Sequence, residues 1–143
     1  MCLQFDLPET LGVVAYLRKA ARCMMAGLGV SPLDVDDLEL IVGELATNAI
    51  RHAKGGSYQV AVECLPQQAV VTVIDKGAGF SPEAVLEPGT LRPDGFHAEE
   101  RIGGFGLPLV FAVADHVDIK TGDHDGTTVR AEKRLRVQLA VAS

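Results

Sequence analysis

Glu44-Leu45-Ala46-Thr47-Asn48-Ala49-Ile50-Arg51-His52-Ala53 closes a long stretch whose apolar residues recur at helical spacing. Residues four apart on a helix stack on one face, so Glu44, Asn48 and His52 form a single polar stripe. Ile41, Val42, Leu45 and Ala49 take the core-facing positions beside it, which sets the stripe on the rim of the core. A carboxylate and a carboxamide at a core margin cost free energy unless something polar meets them. A hydrated cation is one such guest: Asn48 offers a neutral oxygen, and Glu44 can take a proton or orient a water. An internal i,i+4 hydrogen bond along a polar helix edge is the other account of the same residues.

The helix that carries this stripe has a legible start. Ser31 is suited to cap it, Pro32 to its first position, and Asp34 completes a capping-box-like Ser-x-x-Asp. Asp34, Asp36 and Asp37 in the first turn complement the helix dipole. The helix is expected to run to about Ala53 and to end at Gly55-Gly56. Before it, Cys2 to Leu7 alternates weakly as a short strand. A helix then begins at Pro8, with Val14, Leu17, Ala21, Met24 and Leu28 inward and a stop at Gly27 and Gly29.

After it, Tyr58 to Leu65 alternates as a strand, Pro66 to Ala69 reads as a turn, and Val70 to Ile74 is β-branched enough for a central strand. From Lys76 to Gly104 no periodicity holds, and a loop of that length in a compact domain signals a lid or binding loop. A short helix follows from Phe105 or Gly106 to Ala114. Val117–Thr121 and Thr127–Leu135 then alternate as strands joined by Gly122 to Gly126. The tail from Val137 to Ser143 is apolar, an edge strand, a fraying end or an oligomer contact.

Composition narrows the classes. With 143 residues, 48% apolar and 22% charged, the chain is expected to be one globular domain, 1–143. A formal charge of -6 argues against direct nucleic-acid binding, which needs a basic face. Lys133, Arg134 and Arg136 form the one basic cluster and read as a solvated strand end. Three cysteines without CxxC spacing point to neither a disulfide framework nor a zinc site. With no signal peptide and no apolar run near the length of a membrane span, the expected setting is cytoplasmic, with no membrane association.

Three glycine segments join the helix stripe. Asp75-x-Gly77-x-Gly79 lies where an apolar strand opens into a loop. The aspartate there can accept from an exocyclic amino group, and the glycines allow close backbone approach; an Asp-Gly turn explains the segment equally. Gly103-Gly104-Phe105-Gly106 precedes a helix, where exposed N–H groups suit phosphate, or where a hinge would bend. It is neither a dinucleotide fingerprint nor a P-loop. Gly126-Thr127-Thr128 opens the last strand, placing hydroxyls within reach of a base or simply making a turn.

In this order the segments resemble the N, G1, G2 and G3 boxes of the GHKL ATPase superfamily, whose Bergerat nucleotide fold is shared by gyrase, MutL and histidine kinases. Glu44-x-x-x-Asn48-x-x-x-His52-Ala53 stands as N, Asp75-x-Gly77-x-Gly79 as G1, Gly104-x-Gly106-Leu107 as G2 and Gly126-Thr127 as G3. More narrowly, Glu-Leu-x-x-Asn-x-x-x-His-Ala, Gly-Gly-x-Gly-Leu-x-Leu, the small size and the missing phosphoacceptor helix resemble anti-sigma-factor serine kinases of the RsbW and SpoIIAB type.

The resemblance implies an α+β two-layer sandwich, its mixed, mostly antiparallel sheet covered on one face by helices. It also implies ATP and Mg²⁺ as cofactors, and an ATP lid over about 76–104. By the resemblance, Asn48 ligates Mg²⁺, Glu44 is the general base for a substrate serine, and Asp75 binds the adenine amino group. Gly77 and Gly79 shape the pocket wall, Gly103, Gly104, Gly106 and Leu107 close the lid over the phosphates, and Thr127 helps hold adenine. The implied function is an anti-sigma serine kinase that sequesters a sigma factor and phosphorylates a STAS-type anti-anti-sigma partner, with homodimerisation a family expectation. Two alternatives stay open: a non-catalytic nucleotide-dependent binding module, and a switch kinase acting on a scaffold without binding sigma. Phe105 and Pro108 depart from the family pattern; proline is tolerated in a first helical turn. Arg101 reads as a solvated lid charge, and Arg18, on the first helix, as a candidate for partner contact.

Overall fold

The computed structural model describes residues 1–52, 56–75, 106–122 and 126–141. Within these, a strand β1 (Cys2–Pro8) leads into two helices, α1 (Gly12–Gly27) and α2 (Pro32–His52). Strands β2 (Ser57–Cys64) and β3 (Gln68–Asp75) follow, then helix α3 (Gly106–Val113) and strands β4 (His116–Gly122) and β5 (Gly126–Arg134). The sheet order is β1-β2-β3-β5-β4, and every pairing between these strands is antiparallel. The expected α+β architecture holds, and the described part of the sheet contains no parallel pair.

One face of the sheet is apolar because alternate strand residues turn to it. Val60, Val62 and Cys64 of β2, Val71 and Val73 of β3, and Val129 and Ala131 of β5 are all buried there. Against them pack Val35, Leu38, Ile41, Val42, Leu45 and Ala49 of α2, Val14, Leu17, Ala21 and Met25 of α1, and Leu107 and Val110 of α3. Full burial of such side chains stabilises by roughly 1.5–3 kcal/mol each before entropy is counted. The opposite face is partly polar. A hollow of about 310 Å³ lies on it, lined in part by Gln4, Gln59, Ala61, Thr72 and Ile74, and none of the motif residues described above is among its lining.

Three details depart from the sequence reading. Helix α1 starts at Gly12 rather than Pro8, because Pro8 ends β1 and Thr10 N–H donates to the Pro8 carbonyl in a turn. Its fully buried methionine is Met25, while Met24 is only partly covered. The described part of the tail, to residue 141, forms no edge strand: Leu139 is buried in the core, and its N–H donates to the Pro66 carbonyl at 2.7 Å.

The charges at the start of α2 differ more. Ser31 Oγ accepts from the Asp34 N–H at 3.3 Å, as a cap should. The Asp34 carboxylate does not complete a capping box. It is fully buried and accepts from both the backbone N–H and the guanidinium of Arg136. Lys133 is also nearly buried, donating to the Val113 carbonyl at the end of α3 and pairing with Asp37 at 3.3 Å. Asp36 and Glu39 both bind Arg22 of α1. The basic cluster read as a solvated strand end is therefore structural at Lys133 and Arg136, since Asp37 and Asp34 in the first two turns of α2 supply the carboxylates.

Candidate functional site

Helix α2 is unbroken from Pro32 to His52, so Glu44, Asn48 and His52 do share one face. Their environments differ along it. Glu44 is half-buried, Asn48 is 6% exposed, and His52 keeps solvent contact at the helix end. Burial pushes the Glu44 carboxyl above the usual glutamate range, and the positive charge of Arg18 draws it part of the way back. Gly43 explains how an α1 arginine comes so near: a Cβ on Gly43 would sit 2.7 Å from the Arg18 Cδ, so the arginine lies flat across α2 at the one residue without a side chain. The packing of protein around His52, with the adjacent Arg51 charge, lowers its imidazole; the Asp75 carboxylate opposes this by raising it. The stripe thus points from Glu44, past Asn48, toward the end of β3.

Asp75 ends β3 on the buried face, 3% exposed, and Thr127 at the start of β5 is 2% exposed. They are direct partners across the β3–β5 pairing. Such partners stand with Cβ atoms about 4.5–5.5 Å apart on one face. The Thr127 hydroxyl donates to the Thr121 hydroxyl at 3.5 Å, and Thr121 is its partner on β4. On the other side, Asp75 is partnered by Tyr58 of β2. One row of the sheet therefore reads Tyr58, Asp75, Thr127, Thr121. It is a polar row at one end of a mostly apolar face.

Sequence reasoning passed over Tyr58. The residue is 1% exposed, and among the described residues its hydroxyl is a buried side-chain polar atom that finds no hydrogen-bond partner. Leaving such a group unpaired costs about 1–3 kcal/mol. The available signal was its place at the head of a strand two residues before the Val60, Val62 apolar series, where Phe would have sufficed.

Helix α3 begins at Gly106, with Leu107 buried 3% exposed in its first turn, and packs against α2. Gly77, Gly79, Gly103 and Gly104 lie outside the described residues, as do the lid expected over 76–104, Phe105 and Arg101. Among the described residues no group of three or more His, Cys, Asp or Glu side chains could hold a metal by itself. A Mg²⁺ ion commonly takes one or two protein oxygens and completes its shell with phosphate and water. The Asn48 amide oxygen, at the core margin one turn from Glu44, fits that pattern.

The chain matches the model of the histidine kinase-like ATPase domain over residues 7–133. It is 30% identical over 135 residues to the anti-sigma F factor of Pasteuria penetrans, covering 90% of this chain and 87% of the relative. It is 29% identical over 137 residues to the serine-protein kinase RsbW of Oceanobacillus iheyensis, covering 90% and 81%. Among solved structures, the RsbU and RsbW domains of Rv1364c from Mycobacterium tuberculosis align with 99% of this chain at a TM-score of 0.69 and 21% identity. The chain spans 35% of that larger protein, and the likeness speaks to the fold. Among the described residues no helix is long and apolar enough to cross a membrane.

Proposed function

We propose a function from one premise: this chain belongs to the histidine kinase-like ATPase domain family. It is an ATP- and Mg²⁺-dependent protein serine kinase that acts as an anti-sigma factor, gripping a sigma factor and phosphorylating a STAS-type antagonist on serine. The observation that carries this reading is the convergence of a half-buried Glu44 and a buried Asn48 on one helix face with a buried Asp75–Thr127 pair at the sheet end. The anti-sigma and serine-kinase names of its relatives support the choice of partner and acceptor.

Each residue then has a task. The Asp75 carboxylate accepts from the adenine amino group, and Thr127, beside it in register, supplies a hydroxyl to the same base. The first turn of α3, with Gly106 and Leu107, lies toward the phosphates. Asn48 would hold Mg²⁺, which when bound neutralises phosphate charge. Glu44 accepts the proton of the incoming serine hydroxyl as that oxygen bonds to the γ-phosphorus and ADP departs; the proton then leaves to solvent. A carboxyl raised by burial is a better base than an ordinary glutamate once it is ionised.

Calorimetry with ATP and Mg²⁺ tests the pocket. Asp75→Asn is expected to weaken binding by roughly tenfold or more, the worth of a hydrogen bond to a charged group. Asn48→Ala should also weaken it, chiefly when Mg²⁺ is present. Glu44→Ala should leave ATP affinity within about twofold while phosphotransfer to the antagonist falls by roughly 10²–10⁴. Wild-type protein that binds no adenine nucleotide would end the kinase reading. ATP binding with no phosphotransfer to any candidate antagonist would leave a nucleotide-dependent binding module in its place.

A further inference from the structure

The row Tyr58, Asp75, Thr127, Thr121 crosses β2, β3, β5 and β4 at the same end of the sheet. The last three positions carry groups that meet one another or, on the proposed function, the adenine ring. Tyr58 has no such account. Its ring is fully packed, yet its hydroxyl is left without a partner among the described residues, on the same face as Asp75 and one strand away. Phenylalanine would fill that space with no polar atom to bury. Buried hydroxyls are as a rule hydrogen-bonded, and an ordered water is one partner that can satisfy such a group. Burial raises the Tyr58 phenol, so at neutral pH it is a donor rather than an anion.

We propose that Tyr58 is a specificity-determining residue of the nucleotide pocket: its hydroxyl donates to a water that the Asp75 carboxylate also holds, and that water reads the adenine edge beside the amino group. The inference rests on the nucleotide reading above and deepens it. A water with Tyr58, Asp75 and a ring nitrogen as neighbours has the two to four polar partners that an ordered buried water needs. It also orients the carboxylate, because a hydrogen bond accepted from one side fixes the lone pairs left for the amino group. A guanine ring, which presents an oxygen where adenine has its amino group, would face the Asp75 oxygens and gain nothing from this arrangement.

Tyr58→Phe keeps the ring and deletes the hydroxyl. Titration calorimetry of the whole chain with ATP and with GTP, Mg²⁺ present, should show ATP affinity falling about tenfold and GTP affinity changing less than twofold. The ligand-free Tm should hold or rise, because the variant no longer buries an unpaired hydroxyl. ATP affinity within twofold of wild type would overturn the proposal. So would a lower ligand-free Tm with equal losses for both nucleotides, the mark of a purely structural tyrosine. A wild type that binds no ATP would overturn this proposal and the proposed function together. A wild type that binds ATP, with a Tyr58→Phe variant that binds it equally, would overturn this proposal alone.

Discussion

Glu44 is held between two opposed influences, and their balance is measurable. Burial raises its carboxyl and the Arg18 charge lowers it. A base must be ionised to take a proton, so phosphotransfer should fade as pH falls through a value above the ordinary glutamate range. Arg18→Ala removes the lowering influence, and the acidic limb of the rate profile should move to higher pH; an unmoved limb would show that Arg18 does not act on Glu44. For stability the sign runs the same way. A carboxyl raised in the fold favours the protonated form there, so its cost to the fold is absent below the unfolded value and grows as pH rises toward the folded one. Glu44→Gln should accordingly be no less stable than wild type at neutral pH. At this scale much of the candidate site was legible. Spacing alone set Glu44 and Asn48 on one face, and Asp75 and Thr127 were singled out from their places at strand ends. That the two are cross-strand partners was not legible, because register depends on pairing across distant segments. Tyr58 was missed because an aromatic in an alternating strand looks like core.

Helices and strands were readable where period and punctuation agreed, and α2 is the clearest case. Its Ser31 cap and apolar stripe hold as expected. What the acidic residues near its start do was not visible locally, since their partners lie on α1, in β5 and just beyond β5. Asp36 and Glu39 meet Arg22, Asp37 meets Lys133, and Asp34 meets Arg136. Dipole complementarity accounts for the acids equally well from the sequence, and only the fold shows that they are also attachment points. Gly43 illustrates the same limit in the middle of the helix. A helical glycine costs about 1 kcal/mol relative to alanine, and its benefit is room for Arg18. Gly43→Ala should therefore hold or raise Tm while displacing the Arg18 side chain, and its acidic rate limb should shift in the direction of Arg18→Ala. A lower Tm would mean that the arginine cannot move aside and that the contact is part of the core.

Across the whole molecule, patterning gave the separate helices and strands and the family resemblance implied a mostly antiparallel sheet with helices on one face, but neither showed the closure of the fold. Arg136 reaches back over 102 residues to the buried Asp34 carboxylate, and Leu139 enters the core with its N–H on the Pro66 carbonyl. Arg136→Ala leaves Asp34 with a backbone N–H only, and a loss of about 1–3 kcal/mol is expected from denaturant unfolding. Asp34→Ala should cost less in that background than in the wild type, because the guanidinium contact is then already gone and only the backbone bond remains to be lost. Full additivity would show that they stabilise separately.

The Asp34–Arg136 link also sets an order in time. During synthesis, α2 leaves the ribosome long before Arg136 does, so the helix carrying Glu44 and Asn48 must wait with a buried-type carboxylate still in water. A nascent chain paused before Arg136 would have every nucleotide residue argued above and yet lack the contact that fastens α2 at its start. Synthesis of the stretch around Arg136 thus decides when the start of α2 is fastened in place.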